Sequence, residues 1–394
     1  MDILECTVMP YAWGSRTAIA ELTGRPAPAA TPEAELWMGA HPLAPSRLVR
    51  EGAARSLADV VAEAPERELG AETLRAFGPR LPFLLKVLAA AEPLSIQAHP
   101  TAEQARAGFD DEEERGIPRD APHRNYKDAS HKPELLCALT PFDALCGFRA
   151  IDETLALFDL LGVRALVDAL APLRATRDEA GLAETFRRVM TLDDAQRSPV
   201  VDAVVAACEK PAAAFARERA WAARIAALYP GDVGVVSALL LNLVHLEPGD
   251  AIYLGAGNLH AYLEGTGVEI MASSDNVLRG GLTKKHVDVP ELMRVLAFAS
   301  GPVAPLRPKA LDEVERVYDT PAREFRLSVL DLASRAAPVA RTTSGPEILL
   351  VTRGSARLDG APLACGQAAF VPAAAGRYAL EGDAIVYRAS VGLR

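Results

Sequence analysis

The order of apolar and polar positions divides the chain into three kinds of segment. Up to about residue 150, short apolar runs alternate with Gly and Pro punctuation (Pro26, Pro28, Pro32, Pro42, Pro82, Pro93, Pro100, Pro118, Pro122, Pro133, Pro141). That pattern predicts short strands and loops rather than long helices. Leu81 to Leu88, with Lys86 inside it, and Leu94 to His99 read as neighbouring buried strands. From Ile151 to about Tyr229 the period lengthens: Ile151, Leu155 and Phe158 recur at helical spacing, as do Trp221, Ile225 and Leu228. A helical insertion is predicted there. Strand patterning returns after Val235, where Pro248-Gly249-Asp250 turns into Ala251 to Leu254 and then into Gly255-Ala256-Gly257-Asn258. A third unit from about Arg323 carries strands such as Glu347 to Thr352 and Gln367 to Val371.

The two later β segments share a faint repeat. Aligning Gly249 with Gly366 without gaps sets Tyr253-Leu254 against Phe370-Val371 and places Arg377 where the earlier copy has His260. On that alignment the second copy has lost a metal ligand. The charge run from Asp110 to Glu114 reads as a solvated loop or helix face.

Against this background four short segments place polar side chains in apolar or turn-forming surroundings: Ser95 to Pro100, His131 to Glu134, Gly257 to Tyr262, and Ser274 to Arg279. Gln97 and His99 are two residues apart, so a strand presents both on one face. Pro133 biases Lys132 toward extended backbone, which puts Lys132 and Glu134 together and His131 on the opposite side. His260 follows a Gly-rich turn, with Tyr262 on its face. Gln97, His99, Glu134 and His260 together offer two imidazoles, a carboxylate and an amide oxygen. That set suits Zn²⁺ with an open position, and other divalent ions fit it as well. Lys86 and Glu269 each interrupt an apolar strand and are costly to bury unpaired, so each pairs in the core or reaches a site. Arg279 to Lys285 concentrates three cations and two glycines, a pattern suited to phosphate, and the neighbouring Ser274-Asp275-Asn276 favours an anion pocket.

Composition sharpens this picture. A chain of 394 residues, half of them hydrophobic, predicts two or three domains with a sizeable core. Its net charge of -10 leaves no basic field for nucleic acid or an anionic membrane, so an anionic substrate requires a locally built positive pocket. The five cysteines, Cys6, Cys137, Cys146, Cys208 and Cys365, lack paired metal spacing and suit a reducing cytoplasm. Met1 to Glu5 has no basic and apolar leader pattern, and Val233 to Leu241 is too short to span a bilayer.

At this point the motifs resemble those of type I phosphomannose isomerase. The stretches that carry the resemblance are Tyr11 to Ser15, Glu35 to Pro42, Leu81 to Leu88, Pro93 to Pro100, Asn125 to Asp128, His131 to Leu135, and Gly257 through Lys285. The resemblance implies a mainly β fold with a helical insertion. Its parts are a cupin-type (jelly-roll) β-barrel catalytic domain over residues 1–150 and 236–320, an α-helical domain over 151–235, and a cupin-like domain over 321–394 that lacks metal ligands. It also implies one Zn²⁺ per chain, held by residues matching Gln97, His99, Glu134 and His260. The implied reaction interconverts mannose 6-phosphate and fructose 6-phosphate by moving a proton between C2 and C1 through an enediol. Arg279 matches the active-site arginine of the family, and Glu269, Lys132 and Lys285 match other site positions. Glu269 is the expected base, with Lys132 and His131 serving ring opening and Arg279 or Lys132 stabilising charge. Ser95, Lys86, Tyr262, Asp275 and Lys285 are expected substrate contacts. A soluble cytoplasmic monomer or weak oligomer acting on a small sugar phosphate follows. The rival readings are another metal-dependent cupin, such as an iron oxygenase with more open positions, and a non-catalytic sugar-phosphate sensor. Gln97 as a fourth ligand argues against the first, and the intact ligand set with Glu269 and Arg279 against the second.

Overall fold

One strand of 13 residues, His260–Ala272, organises the first β unit. Its beginning pairs with Phe142–Phe148 and with Gln97, and its end lies between Phe83–Ala90 and Glu134–Ala138. The change of partners falls at a register shift between Tyr262 and Glu264, next to Gly265. Gly265 has φ +132°, and a Cβ there would lie 2.5 Å from the Phe142 ring. Glycine thus lets one strand turn the corner between two sheet layers. The coordinates are a computed structural model that describes residues 1–333 and 337–393. Residues 334–336 and 394, inside the third predicted unit, lie outside the described residues.

The first sheet runs from Leu241–Leu246 through Phe142–Phe148, His260–Ala272, Phe83–Ala90 and Glu35–Met38 to Thr7–Met9, with Gln97–Ala98, Leu278–Arg279, Glu134–Ala138 and Ala251–Leu254 branching from it. The second is built on Glu347–Leu358 and Arg377–Ser390 and extends through Arg326–Asp331 and Glu315–Tyr318 to Lys309–Ala310. Its far edge is Asp2–Leu4, so the start of the chain pairs with Phe370 and its neighbours rather than with the first sheet. Both sheets have free edges among the described residues; hydrogen bonding does not close either into a ring, unlike the barrel expected from the resemblance.

Between Phe142–Phe148 and Leu241–Leu246, helices from Ile151–Leu161 to Gly234–Leu240 pack around Leu155, Phe158, Leu173, Phe186, Val204 and Ile225. Helices also break up the first 150 residues, the longest being the 13-residue Ala102–Glu114. The predicted strand over Leu94 to His99 shrinks to Gln97–Ala98, since the prolines at both ends withhold backbone donors. The two sheets meet through one apolar core in which Leu85, Val87, Leu135 and Ile270 face Phe325, Leu327, Ile348 and Phe370. Contact between apolar faces of this kind is the main stabilisation available to packed sheets.

The gapless repeat has a structural counterpart. The alignment maps Ala251–Leu254 onto Ala368–Val371 and starts His260–Ala272 at the first residue of Arg377–Ser390.

Candidate functional site

Strand register brings the separated motifs together. Gln97 lies opposite His260 on one side and Arg279 on the other. Glu134 lies opposite Met271 on the long strand and Leu254 on the other side. The result places the ligand atoms of His99, Glu134 and His260 within 4.8 Å of one another, all three residues being buried. His99 Nε2 is 3.3 Å from Glu134 Oε1, and His260 Nε2 is 3.5 Å from Glu134 Oε2. Gln97 Nε2 approaches His260 Nε2 at 3.4 Å, so its amide belongs to the same cluster.

Each ring is held from behind. His99 Nδ1 is 2.7 Å from the carbonyl oxygen of Asn276, and His260 Nδ1 is 3.0 Å from that of Asn258. A carbonyl can only accept, so Nδ1 carries the proton and Nε2 presents its lone pair to the cluster. Burial, opposed by Glu134 and aided by Lys132, pushes the His99 imidazolium pKa down to about 4. Glu134 goes the other way: burial disfavours its charge, but the Lys132 ammonium leads the opposing influences and it is held well below the usual carboxylate range. Lys132 Nζ sits 3.1 Å from Glu134 Oε1. His99 Nε2 and Glu134 Oε2 find no hydrogen-bond partner although both are buried. Orphaned polar atoms of this kind are expensive in a protein interior, and two neutral imidazole nitrogens with a carboxylate oxygen form a donor set that fits a divalent cation.

Beside this cluster a cavity of about 470 Å³ opens, lined by Lys86, Ser95, Gln97, Lys132, Glu134, Tyr262, Glu269, Asp275, Arg279 and Lys285. Across the sheet, Trp37, Lys86 and Glu269 form a row of directly opposed residues. Lys86 Nζ lies 3.1 Å from Glu269 Oε2 and 3.5 Å from Glu35 Oε1, and 5.3 Å from the Trp37 ring centre. Burial lowers the Lys86 pKa, but Glu269 and Glu35 more than compensate and raise it, so this lysine is charged. The Glu269 carboxyl is pushed up, mainly by burial, then by Glu134 and Glu35, against the pull of Lys86. Tyr262 donates to Glu269 Oε1 at 2.9 Å.

Three expectations change. His131 does not line the cavity: its Nε2 lies 2.7 Å from Glu324 Oε1, in the loop ahead of Arg326–Asp331. The extended backbone before Pro133 turns its ring away from the Lys132 side, which removes it from the groups facing the cavity. Of Ser274-Asp275-Asn276, only Asp275 reaches the cavity, where His41 Nε2 stands 3.4 Å from its Oδ1. Ser274 donates to Asp128 at 2.9 Å, and buried Asn276 accepts from Lys127 N at 2.7 Å while donating to Ser130 O at 2.9 Å. These two fix the loop behind His99. Glu35, Trp37 and His41 lie in a stretch that carried the resemblance but received no site role, and Tyr229 from the helical region also reaches the cavity.

Comparison with known proteins places these features in a family. The pattern of the phosphomannose isomerase type I catalytic domain matches residues 1–151. The chain is 39% identical over 381 residues to the mannose-6-phosphate isomerase of Escherichia coli (strain K12), covering 95% of each. It is 33% identical to mannose-6-phosphate isomerase 1 of Arabidopsis thaliana, over 99% of this chain and 94% of that protein. The crystal structure of the Salmonella typhimurium mannose 6-phosphate isomerase bound to fructose 6-phosphate and zinc superimposes with a TM-score of 0.92 at 37% identity, with full coverage of both chains.

Proposed function

The chain belongs to the type I phosphomannose isomerase family, and we infer from that membership that it interconverts mannose 6-phosphate and fructose 6-phosphate with one zinc ion per chain. The observation that carries this reading is the pair of orphaned buried atoms, His99 Nε2 and Glu134 Oε2, beside a cavity that also opens on Glu269 and Arg279.

Gln97, His99, Glu134 and His260 would hold the ion. When bound, zinc supplies a Lewis acid for the oxygens at C1 and C2 of the sugar. Glu269 is the base that carries the proton between C2 and C1: its raised pKa strengthens it, while Lys86 and Tyr262 fix its two oxygens in place. Arg279 and Lys132 face the negative charge that develops on the enediol oxygens, and their fixed positive charge lowers its energy. Lys132 also serves the proton transfers of ring opening. Lys285, with Arg279 and Ser95, receives the phosphate. Burial, Arg279 and Lys127 all lower the Lys285 pKa, as in a cationic pocket waiting for an anion.

Residues 1–150 with 236–320 form a cupin-type catalytic domain, 151–235 a helical insertion and 321–394 a cupin-like domain in this reading. The two antiparallel sheets and their internal repeat support it, with Asp2–Leu4, Lys309–Ala310 and Glu315–Tyr318 lent to the second sheet. A cytoplasmic monomer or weak oligomer completes it.

The test is a coupled assay of fructose 6-phosphate formation before and after chelation, with metal content measured alongside. Activity should vanish with the metal and return on adding Zn²⁺. Undiminished turnover by metal-free protein overturns the metal mechanism.

A further inference from the structure

The loop from Arg279 to Lys285 faces the cavity, yet its anchor lies in the helical region. Leu282 is 1% exposed and packs in the same apolar core as Val233, Val235 and Leu292. Its backbone takes φ +54°, an unusual value for a branched side chain that must be held by its surroundings. Two contacts hold it. Asp232 Oδ2 accepts from the backbone N–H of Thr283 at 3.1 Å, while Oδ1 accepts from Gly234 N at 2.7 Å. Gly281 lies directly on Gly234: a Cβ on Gly281 would stand 2.6 Å from Gly234 Cα, and one on Gly234 would stand 2.7 Å from Leu282 N. The same turn carries Tyr229, which lines the cavity and donates to Pro93 O at 2.9 Å.

We propose that Asp232 is a positioning residue for substrate phosphate, and that the helical insertion sets affinity for phosphorylated sugar by clamping the Leu282-Thr283 backbone so that Lys285 faces the cavity. This rests on the assignment of Lys285 to the phosphate. Asp232 touches no substrate itself. It acts through the loop: its carboxylate spans the turn of the insertion and the N–H next to the strained residue, so the basic side chains start from a fixed backbone. Preorganisation of this kind shows up in binding rather than in the chemical step.

Asp232→Asn tests it, because asparagine keeps the Oδ1 acceptor for Gly234 and replaces the acceptor for Thr283 with a donor. Asp232→Ser is the second variant, retaining a capping oxygen too short to reach Thr283. Both are measured with zinc-loaded enzyme for kcat and KM with mannose 6-phosphate, for inhibition by inorganic phosphate, and for thermal midpoint and zinc content, beside Lys285→Ala. The expected result is a rise of about tenfold in KM and in the phosphate inhibition constant of each Asp232 variant, about the loss of one charge-assisted hydrogen bond, with a much smaller change in kcat. The direction is informative: removing a negative charge near a phosphate would by itself tighten binding, so a rise can come only from lost positioning. If Lys285→Ala raises KM and the Asp232 variants leave it unchanged or lower it, the inference is wrong and the phosphate assignment stands. If the Asp232 variants lose kcat or zinc in step with KM, the clamp serves the whole site and the inference is again wrong. If Lys285→Ala leaves both constants unchanged, the phosphate assignment itself falls.

Discussion

Lys86 Nζ reaches one oxygen of Glu269 from the neighbouring strand, and the Tyr262 hydroxyl reaches the other from across the register shift in the strand that carries Glu269 itself. In the proposed mechanism Glu269 is a positioned base with a raised pKa, and a neutral amide in its place keeps the size and removes the proton acceptor. Glu269→Gln is therefore expected to lower kcat by roughly a hundredfold or more while leaving zinc content intact, measured by steady-state kinetics and metal analysis. Near wild-type turnover with zinc bound would sink the assignment. The reach of sequence reasoning at this scale follows from locality. Gln97 with His99 and Lys132 with Glu134 were legible because two residues of extended chain decide which side chains share a face. Glu35 and Trp37 were not, because their meaning depends on a register that sets Trp37 opposite Lys86, and no local pattern encodes that pairing. His131 was legible by the alternation rule as pointing away, and Glu324 is what it points to.

At the scale of elements, the periodicities located the helical insertion and several strands, while ends and charged faces depended on distant partners. Ala251 to Leu254 is a strand with those bounds, and Ile151, Leu155 and Phe158 lie on the helix Ile151–Leu161. The acidic run after Phe109 is the end of the helix Ala102–Glu114, opened by a capping box at Thr101. Its Glu112 is buried and accepts from Asn125 N at 2.9 Å and Tyr126 N at 2.8 Å, a role that composition could not separate from that of its solvated neighbours. The helix Ala216–Leu228 is tied to the first sheet in a similar way. Asp143 accepts from Arg217 at 2.7 Å and from Trp221 Nε1 at 2.9 Å, with His245 Nδ1 at 2.6 Å. Burial raises the Asp143 pKa, but His245, Trp221 and Arg217 outweigh it and leave it lowered. A carboxyl whose folded pKa lies below its unfolded value of about 3.9 stabilises the fold above that value, and the contribution fades as pH falls through the folded pKa. Asp143→Asn should cost about 1–3 kcal/mol at neutral pH, and the cost should shrink as the medium is acidified below about pH 4. Denaturation curves at several pH values check this. A cost that stays constant into acid would mean that the charge of Asp143 contributes nothing.

At the scale of the whole molecule, the two sheets place a buried carboxylate at corresponding positions and surround it differently. Glu134 stands opposite Leu254 in the first sheet, and Glu347 stands opposite Val371, the residue that the repeat aligns with Leu254. Glu134 belongs to a cluster with orphaned atoms that suits an ion. Glu347 instead accepts from Arg388 Nε at 2.8 Å and from the Tyr378 hydroxyl at 2.6 Å, and Arg388 Nη1 also reaches Glu315 Oε1 at 3.1 Å. Arg341 lies 2.8 Å from the second oxygen of Glu315. The carboxylates are 2% and 5% exposed at their side chains, so the guanidinium supplies, as a covalent part of the chain, the charge that a bound metal would supply in the first sheet. Breaking such a pair from one side leaves a buried charge without its partner, which costs about 3–5 kcal/mol. Arg388→Met should therefore lower stability by that order. Adding Glu347→Gln in the same chain should recover part of the loss, because it removes the stranded charge. Chemical denaturation of the zinc-loaded single and double variants measures both terms. Recovery would place the cost in the uncompensated carboxylate. A double variant as unstable as the sum of the two single ones would show that Arg388 and Glu347 act independently, and that the second sheet does not depend on a fixed cation at this position.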